Sequence, residues 1–397
     1  MSSLPDEVIL EILSRLPVKP LLCFRCVSKP WLALIDSPQF IKLHLKQSLK
    51  TTTNLSLILS GGYLYSSDFD SLDTAIELDH PLKTPHYETE IVGSCNGLLC
   101  LSNKKEDVAL WNPSTRKYKK LPVTTLQFAP DGYDFSQYTV SGFGYDETSD
   151  DYKVVRSLRL YLAENSSSGS EVYSLKNDSW RRLPDYPYNL RYLRSFAMLV
   201  SGALHWLVTS QAESDSTILI LAFDLGVEEY RLVPHPDLSA KGSHMTVGVL
   251  GGCLTMCCSC YFTHRLDVWV MKDYGVKESW TKLFSVMEPS PSFRSFLSFQ
   301  YGRPVAYSKS DGEVLLEQYR LEDKNNRLVW YDLENNKKVK NVKIQGAPDK
   351  FHADICCGSL VPLGGNREGN TKKQQAVEKK DRKKRLKKLP KVVCFLL

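Results

Sequence analysis

The chain changes its hydrophobic period once. Over residues 4–45, apolar side chains recur at helical spacing in three short runs. Val8, Ile9, Ile12, Leu13 and Leu16 form the first; Leu21, Leu22, Phe24 and Val27, with Arg25 among them, the second; Trp31, Leu32, Leu34 and Ile35 the third. The spacing predicts three helices. Ser3 is placed to cap the first, with Pro5, Asp6 and Glu7 in its opening turn, where a fixed φ and negative charge are favourable. Leu16-Pro17-Val18 breaks the run, and the third helix starts near Ser28, takes Pro30 in its first turn and stops before Pro38. So small a unit cannot bury all of this apolar surface on itself. Two readings of the excess stay open: a surface for a partner, or a cap packed on the rest of the chain.

From Asn54 to about Leu363 the helical period disappears and a strand unit recurs instead. The clearest copy runs Gly97–Leu101, Val108–Tyr118 and Lys120–Pro122. Further copies begin near Asp151, Gly202, Gly251 and Val314, and a degenerate one near Leu55. The middle strand carries a bulky aromatic into the core between sheets. A polar turn such as Asn112-Pro-Ser-Thr115 or Lys176-Asn-Asp-Ser179 then reverses the chain. One unit cannot bury both of its faces, so units must stack. Roughly 300 residues at about 45–50 per unit gives about six. A β-propeller of about six blades is the expectation, with a large β-sandwich as the alternative. Phe351–Leu363 reads as a last strand that completes the blade begun near Leu55, because closure removes exposed edges.

Composition supports this division. A length of 397 residues suits two or three domains, and 20 Tyr, 15 Phe, 7 Trp, 22 Gly and 20 Pro favour strands and turns. The net charge of +6 is uneven: residues 366–397 hold 12 Lys/Arg against 3 Asp/Glu, leaving 39 basic and 42 acidic residues elsewhere. A mildly acidic body with one basic tail argues against a broad nucleic-acid face. No signal peptide is read at the N-terminus, and no run of about 18 apolar residues exists to span a membrane. The 11 Cys, an odd number, are then expected to be reduced thiols of the cytosol or nucleus.

Candidate chemistry is sparse. The sequence holds no Gly-x-Ser-x-Gly elbow, Walker loop, His-Glu-x-x-His or complete dinucleotide fingerprint. Cys253, Cys257, Cys258 and Cys260, near His244 and His264, do not have the spacing of a zinc knuckle and read as structural thiols. Cys23 and Cys26 read as core or partner-contact thiols. Trp111, Trp206, Trp269 and Trp330 read as core, His205 as a satisfied strand histidine, and Asp150-Asp151 as acids capping a turn. No metal and no cofactor are expected.

Leu4-Pro-Asp-Glu-Val-Ile-Leu-Glu-Ile-Leu-Ser-Arg-Leu-Pro17, then Leu21-Leu-Cys-Phe-Arg-Cys-Val-Ser-Lys-Pro-Trp31 and Leu34-Ile-Asp-Ser-Pro-Gln-Phe40, strongly resemble the plant F-box. Asn112-Pro-Ser-Thr-Arg116, Phe143-Gly-Tyr-Asp146, Asp150-Asp-Tyr-Lys-Val-Val155, Val268-Trp269 and Ser279-Trp-Thr281 resemble recurring phrases of the kelch-like F-box-associated interaction domain. Within the family the chain is most similar to the type that holds pathogenesis-related gene expression in check. The resemblance implies an F-box at 1–47, a substrate-binding domain at 54–363, and a linker and basic tail at 364–397. It implies docking on a Skp-type adaptor through Leu4, Pro5, Ile9, Ile12, Leu16 and Pro17, with Val27 and Trp31 holding the helices together. Through the adaptor it implies a cullin and a RING protein, and a protein target bound by the β domain for ubiquitination, often an immune receptor. A propeller enzyme, an oxidase or glycosidase, is the competing class. Val123–Tyr138, Tyr161–Ser170 and Leu207–Thr217 are the candidate target-facing segments.

The tail adds one more expectation. Gly364–Asn370 reads as a linker, followed by the basic run Lys379–Lys388 and the ending Cys394-Phe395-Leu396-Leu397. A cysteine fourth from the end with Leu last fits a geranylgeranyl signal, and the basic run would supply the second attachment that one lipid needs. The competing reading is nuclear import or simple solubility, in a protein of cytoplasm and nucleus without membrane association.

Overall fold

The computed structural model describes residues 5–103, 107–124, 126, 136–161, 166–185, 187–190, 194–210, 217–237, 243–260, 265–287, 301–320, 325–335 and 337–363. Four helices come first, one more than the spacing predicts: α1 (Asp6–Ser14), α2 (Val18–Phe24), α3 (Lys29–Ile35) and α4 (Pro38–Thr51). Pro5 and Pro17 occupy the N-cap positions of α1 and α2, with ψ of 145° and 156°. Pro5 therefore precedes the first turn instead of lying in it, and Ser3 lies outside the described residues. Ser28 caps α3 by accepting from Trp31 N at 3.3 Å. Pro38, expected as a stop, starts α4, because Ser37 accepts from Phe40 N at 3.2 Å and a proline loses nothing at a first helical position.

Leu13, Val18, Leu21, Ile35 and Phe40 form the helical core, and Trp31 packs its edge on Phe24 at 5.5 Å. Val27 is not part of that core. It is 63% exposed, because it sits in the turn after α2, where helical spacing no longer sets direction.

The strands form six sheets among the described residues. The first opens with β1 (Leu55–Gly61), β2 (Tyr63–Asp68) and β3 (Ile76–Glu77). The second is β4 (Thr89–Cys95), β5 (Leu98–Asn103), β6 (Val108–Asn112) and β7 (Lys117–Lys120). The third is β8 (Ser136–Asp146), β9 (Asp151–Tyr161), β10 (Ser166–Ser174) and β11 (Ser179–Leu183). Two short strands follow, β12 (Asn189–Leu190), which pairs into the fourth sheet, and β13 (Arg194–Phe196), which lies parallel to β8. The fourth sheet continues with β14 (Met198–Val200), β15 (Ala203–Thr209), β16 (Ile218–Asp224) and β17 (Tyr230–Val233). The fifth is β18 (Ser243–Leu250), β19 (Cys253–Cys260), β20 (Arg265–Met271) and β21 (Trp280–Met287). The sixth is β22 (Tyr301–Tyr307), β23 (Glu313–Arg320), β24 (Asn325–Asp332) and β25 (Lys337–Val342). Last, β26 (His352–Cys357) returns to pair antiparallel with β1, Leu55 opposite Cys357 and Ser60 opposite His352.

These sheets are the blades of a six-bladed propeller, and the sandwich alternative falls away. Six apolar clusters fill the six gaps between neighbouring blades, including the gap between the sixth and the first. Trp111, Trp206 and Trp330 are buried in them, while Trp269 is half-exposed with Lys282 Nζ 5.1 Å from its ring centre. The polar turns have a common device. Asp68, Asn112, Asp224 and Asp332 each accept from two backbone N–H groups just ahead of them.

Sequence reading found the outer three strands of each blade and missed the inner strands of five: β4, β8, β12 with β14, β18 and β22. The innermost strand faces a channel on one side, so its apolar alternation is diluted. In β22, Arg303 and Pro304 interrupt it, and the register shifts there.

Candidate partner-binding surfaces

The helices are joined to the propeller by the chain that follows β26. Leu360 enters the helical core, while Val361 and Leu363 enter the apolar gap between the second and third blades, against Ile41 and Leu45 of α4. Asn112 Nδ2 donates to Ser359 O at 3.1 Å and Val361 O at 3.0 Å. Gly97 lies beside this segment at φ +76°, and a Cβ there would meet Ser359 Cβ at 2.5 Å. Lys42 Nζ pairs with Asp150 Oδ2 at 2.8 Å across the junction. His44 is fully buried and bonds Leu16 O at 2.9 Å; burial lowers its pKa and keeps the ring neutral. The helical unit thus has a side welded to the propeller, as the cap reading expects, and further apolar residues that the weld does not cover.

Of these, Val8 and Ile12, one turn apart on α1, are 41% and 49% exposed, and Val27 and Leu32 are 63% and 39% exposed. Among the residues expected to contact a partner, Pro5, Ile12 and Pro17 are exposed, whereas Ile9 and Leu16 are half-buried against the helical core. Leu4 lies outside the described residues. Val8 and Leu32 were not among the expected contacts; the spacing of Val8 four residues before Ile12 was the signal available.

The second surface is the propeller's central channel, about 1940 Å³, walled by the innermost strands. Leu49 and Lys50 of α4 stand at its helical end, and Gly61, Gly62 and Lys350 at the far end. At the seam between the sixth and first blades its wall holds an ionic cluster. Arg303 donates to Glu317 Oε2 at 2.9 Å, Asp354 Oδ1 at 3.3 Å and Ala353 O at 2.6 Å. Glu317, fully buried, also accepts from Ala353 N, Asn326 Nδ2 and His352 Nδ1 at 3.0–3.1 Å. Burial alone would raise the Glu317 pKa, but Arg303, His352 and the Ala353 N–H outweigh it and hold it at about 2. His352 moves upward, chiefly through its bond to Glu317. With its lone pairs committed to four donors, Glu317 acts as a clasp for the ring.

Other expected sites resolve as structure. His205 is buried, bonded to Met198 O at 3.1 Å and Tyr274 OH at 2.6 Å. Asp151 accepts from Lys176 N at 2.8 Å, a turn cap. Cys257 is buried, and its thiol is pushed up to about 12 by desolvation. Among the described residues no group of His, Cys, Asp and Glu is arranged to hold a metal ion. Most of Val123–Tyr138, and parts of Tyr161–Ser170 and Leu207–Thr217, lie outside the described residues, as does Cys394. The strand ends from which these three segments leave are all at the far end of the propeller, away from the helices.

Comparison with known proteins agrees with this division. The family model described as F-box domain matches residues 1–43, and that described as F-box associated beta propeller domain matches residues 54–363. F-box protein CPR1 of Arabidopsis thaliana is 39% identical, over 96% of this chain and 95% of its own length. A second Arabidopsis thaliana F-box protein is 33% identical, covering 91% of this chain and 90% of its own. An F-box/kelch-repeat protein of the same plant is 34% identical, covering 80% and 86%.

Proposed function

The chain belongs to the F-box family and carries an F-box-associated β-propeller domain, and from that premise we propose that it is the substrate-recognition subunit of a Skp–cullin–F-box ubiquitin ligase. The exposed apolar residues of the helices dock on a Skp-type adaptor, which brings the cullin and the RING protein. The propeller captures a protein target for ubiquitination and itself performs no catalysis. The observation that carries this reading is the exposure of four apolar side chains, Val8, Ile12, Val27 and Leu32, on a helical unit that is fixed to the propeller through Leu360. Apolar exposure of this kind marks a partner surface. The far end of the propeller suits the target, since it faces away from the adaptor. The sequence resemblance to the type that holds pathogenesis-related gene expression in check favours a plant immune receptor as that target.

Co-purification tests the docking. The full chain, co-expressed with Skp-type adaptors, is expected to form a one-to-one complex that assembles with cullin and RING protein. A chain that ignores every adaptor offered yet turns over sugars would establish the propeller enzyme instead. Proximity labelling with an F-box-deleted chain under proteasome blockade is expected to accumulate the target. For the tail, we place the protein in cytoplasm and nucleus, with the basic run Lys379–Lys388 serving import. Lipid attachment at Cys394 is the competing reading, and intact mass from plant cells, with a Cys394→Ser control, decides between them.

A further inference from the structure

Among the described residues two cysteines are exposed, Cys23 in α2 and Cys26 in the turn that follows it. The backbone N–H of Cys26 donates to Cys23 O at 3.0 Å, which fixes their separation at a single turn. Lys19 and Cys23 are exposed on α2, whose Val18 and Leu21 are buried, and Cys26 is exposed in the turn that follows. Five of the remaining described thiols contrast with this pair, while Cys253, Cys258 and Cys260 are half-buried. Cys95, Cys100, Cys257, Cys356 and Cys357 are buried, and desolvation pushes Cys95 up to about 12 and Cys357 to about 11. A buried thiol held protonated is a poor nucleophile, whereas an exposed one is open to exchange.

We propose that Cys23 and Cys26 are a reversible dithiol–disulfide switch beside Val27, an exposed apolar residue of the helical unit, with glutathione disulfide as oxidant. One cysteine thiolate attacks glutathione disulfide and expels a glutathione thiolate. The second cysteine thiolate then attacks the mixed disulfide at the first cysteine's sulfur and expels the other glutathione. Two S–H bonds are lost and one S–S bond forms. Two electrons reduce glutathione disulfide, and the two protons end on the two glutathione thiols.

The consequence follows from dimensions. Side chains three apart on one helix-like, hydrogen-bonded turn have Cβ atoms about 5–6 Å apart, and a disulfide needs about 3.5–4.5 Å. Closing the bond draws the end of α2 inward by roughly 1–2 Å. Val27, 63% exposed, follows Cys26 directly, and Ser28 caps α3 through Trp31 N. The contraction therefore moves an exposed apolar residue and the start of the next helix. Oxidation lowers adaptor affinity, and reduction restores it. This rests on the docking reading above, and the experiment separates the two.

The purified full chain is reduced and its affinity for a Skp-type adaptor measured. It is then equilibrated with glutathione disulfide, mapped by differential alkylation and tandem mass spectrometry, and titrated again. Expected are a Cys23–Cys26 linkage ahead of any other pair, adaptor binding weakened at least tenfold, and recovery with dithiothreitol. The Cys23→Ser/Cys26→Ser double variant should ignore the oxidant, whereas each single variant should stop at the mixed disulfide with glutathione and form no intramolecular linkage. A reduced chain that binds no adaptor overturns the docking reading and the switch with it. A reduced chain that binds, with no Cys23–Cys26 linkage after oxidation, or with equal affinity once linked, overturns the switch alone.

Discussion

At the helical end of the propeller, β4–β5, β14–β15 and β18–β19 are joined by the two-residue turns Asn96-Gly97, Ser201-Gly202 and Gly251-Gly252, all six residues at positive φ. At the far end, the chain from β7 to β8 spans residues 121–135 and that from β21 to β22 spans residues 288–300. The first kind of connection sets strand register tightly, since both turn residues must adopt the left-handed conformation. The second kind can vary in sequence without disturbing the sheets. The helical end also receives the Ser359–Leu363 weld and the Lys42–Asp150 pair. One end thus fixes the orientation of the helical unit, and the other is where the long connections leave the strands.

The largest break in this comparison is removal of the closing strand. Truncation after Lys350 deletes β26 and the weld together, so the chain should fail to fold, with loss of soluble protein and of cooperative unfolding. Truncation after Leu363 should leave both intact. Equal behaviour of the two truncations in a thermal melt would refute closure by β26.

Next comes the clasp. Arg303→Met leaves Glu317 buried without its cation, and should cost about 3–5 kcal/mol in a denaturant titration. The pH dependence follows from Glu317. Its folded pKa, about 2, is depressed from 4.5, so its contribution is complete above the unfolded value and is lost as pH falls through 4.5 toward 2. The melting temperature of the native chain should drop over that window, and Glu317→Gln should flatten the fall. A parallel fall in both would place the acid sensitivity elsewhere.

A smaller effect is expected at the weld. Asn112→Ala removes two donors to the Ser359–Val361 backbone and the acceptor for Ser114 N and Thr115 N, a loss of about 2 kcal/mol. Limited proteolysis should then release the helical unit while the propeller persists. The smallest effect belongs to the far end. Val123, 70% exposed, should tolerate Ser within about 0.5 kcal/mol. Any change there should appear in target capture.

Much of this was legible in the sequence, for reasons that differ by element. The aromatic middle strands β6, β16, β20 and β24 announce themselves because both faces are packed between blades. The closing strand was visible because Ala353, Cys356 and Cys357 continue an apolar pattern after the last full unit. The innermost strands were not, since polar or small residues such as Arg303 and Gly93 face the channel or a neighbouring blade. The helix α4 was hidden by Pro38, which marks an end and a beginning equally well. In the helical unit, the family resemblance named Ile12 as a contact and it is exposed, but spacing could not show that Val27 had left the helix. The weld was not readable at all, because Leu360 and Val361 point into two different cores along three consecutive buried residues.

The central claim is that the exposed apolar residues of the helices bind the adaptor while the weld carries the stability. Replacing Val8 and Ile12 together by Glu, in the full chain, separates the two. Titration against a purified Skp-type adaptor should show affinity reduced at least a hundredfold, with the melting temperature of the propeller unchanged. Undiminished binding by the double variant, or a propeller that melts earlier with binding retained, would contradict the account.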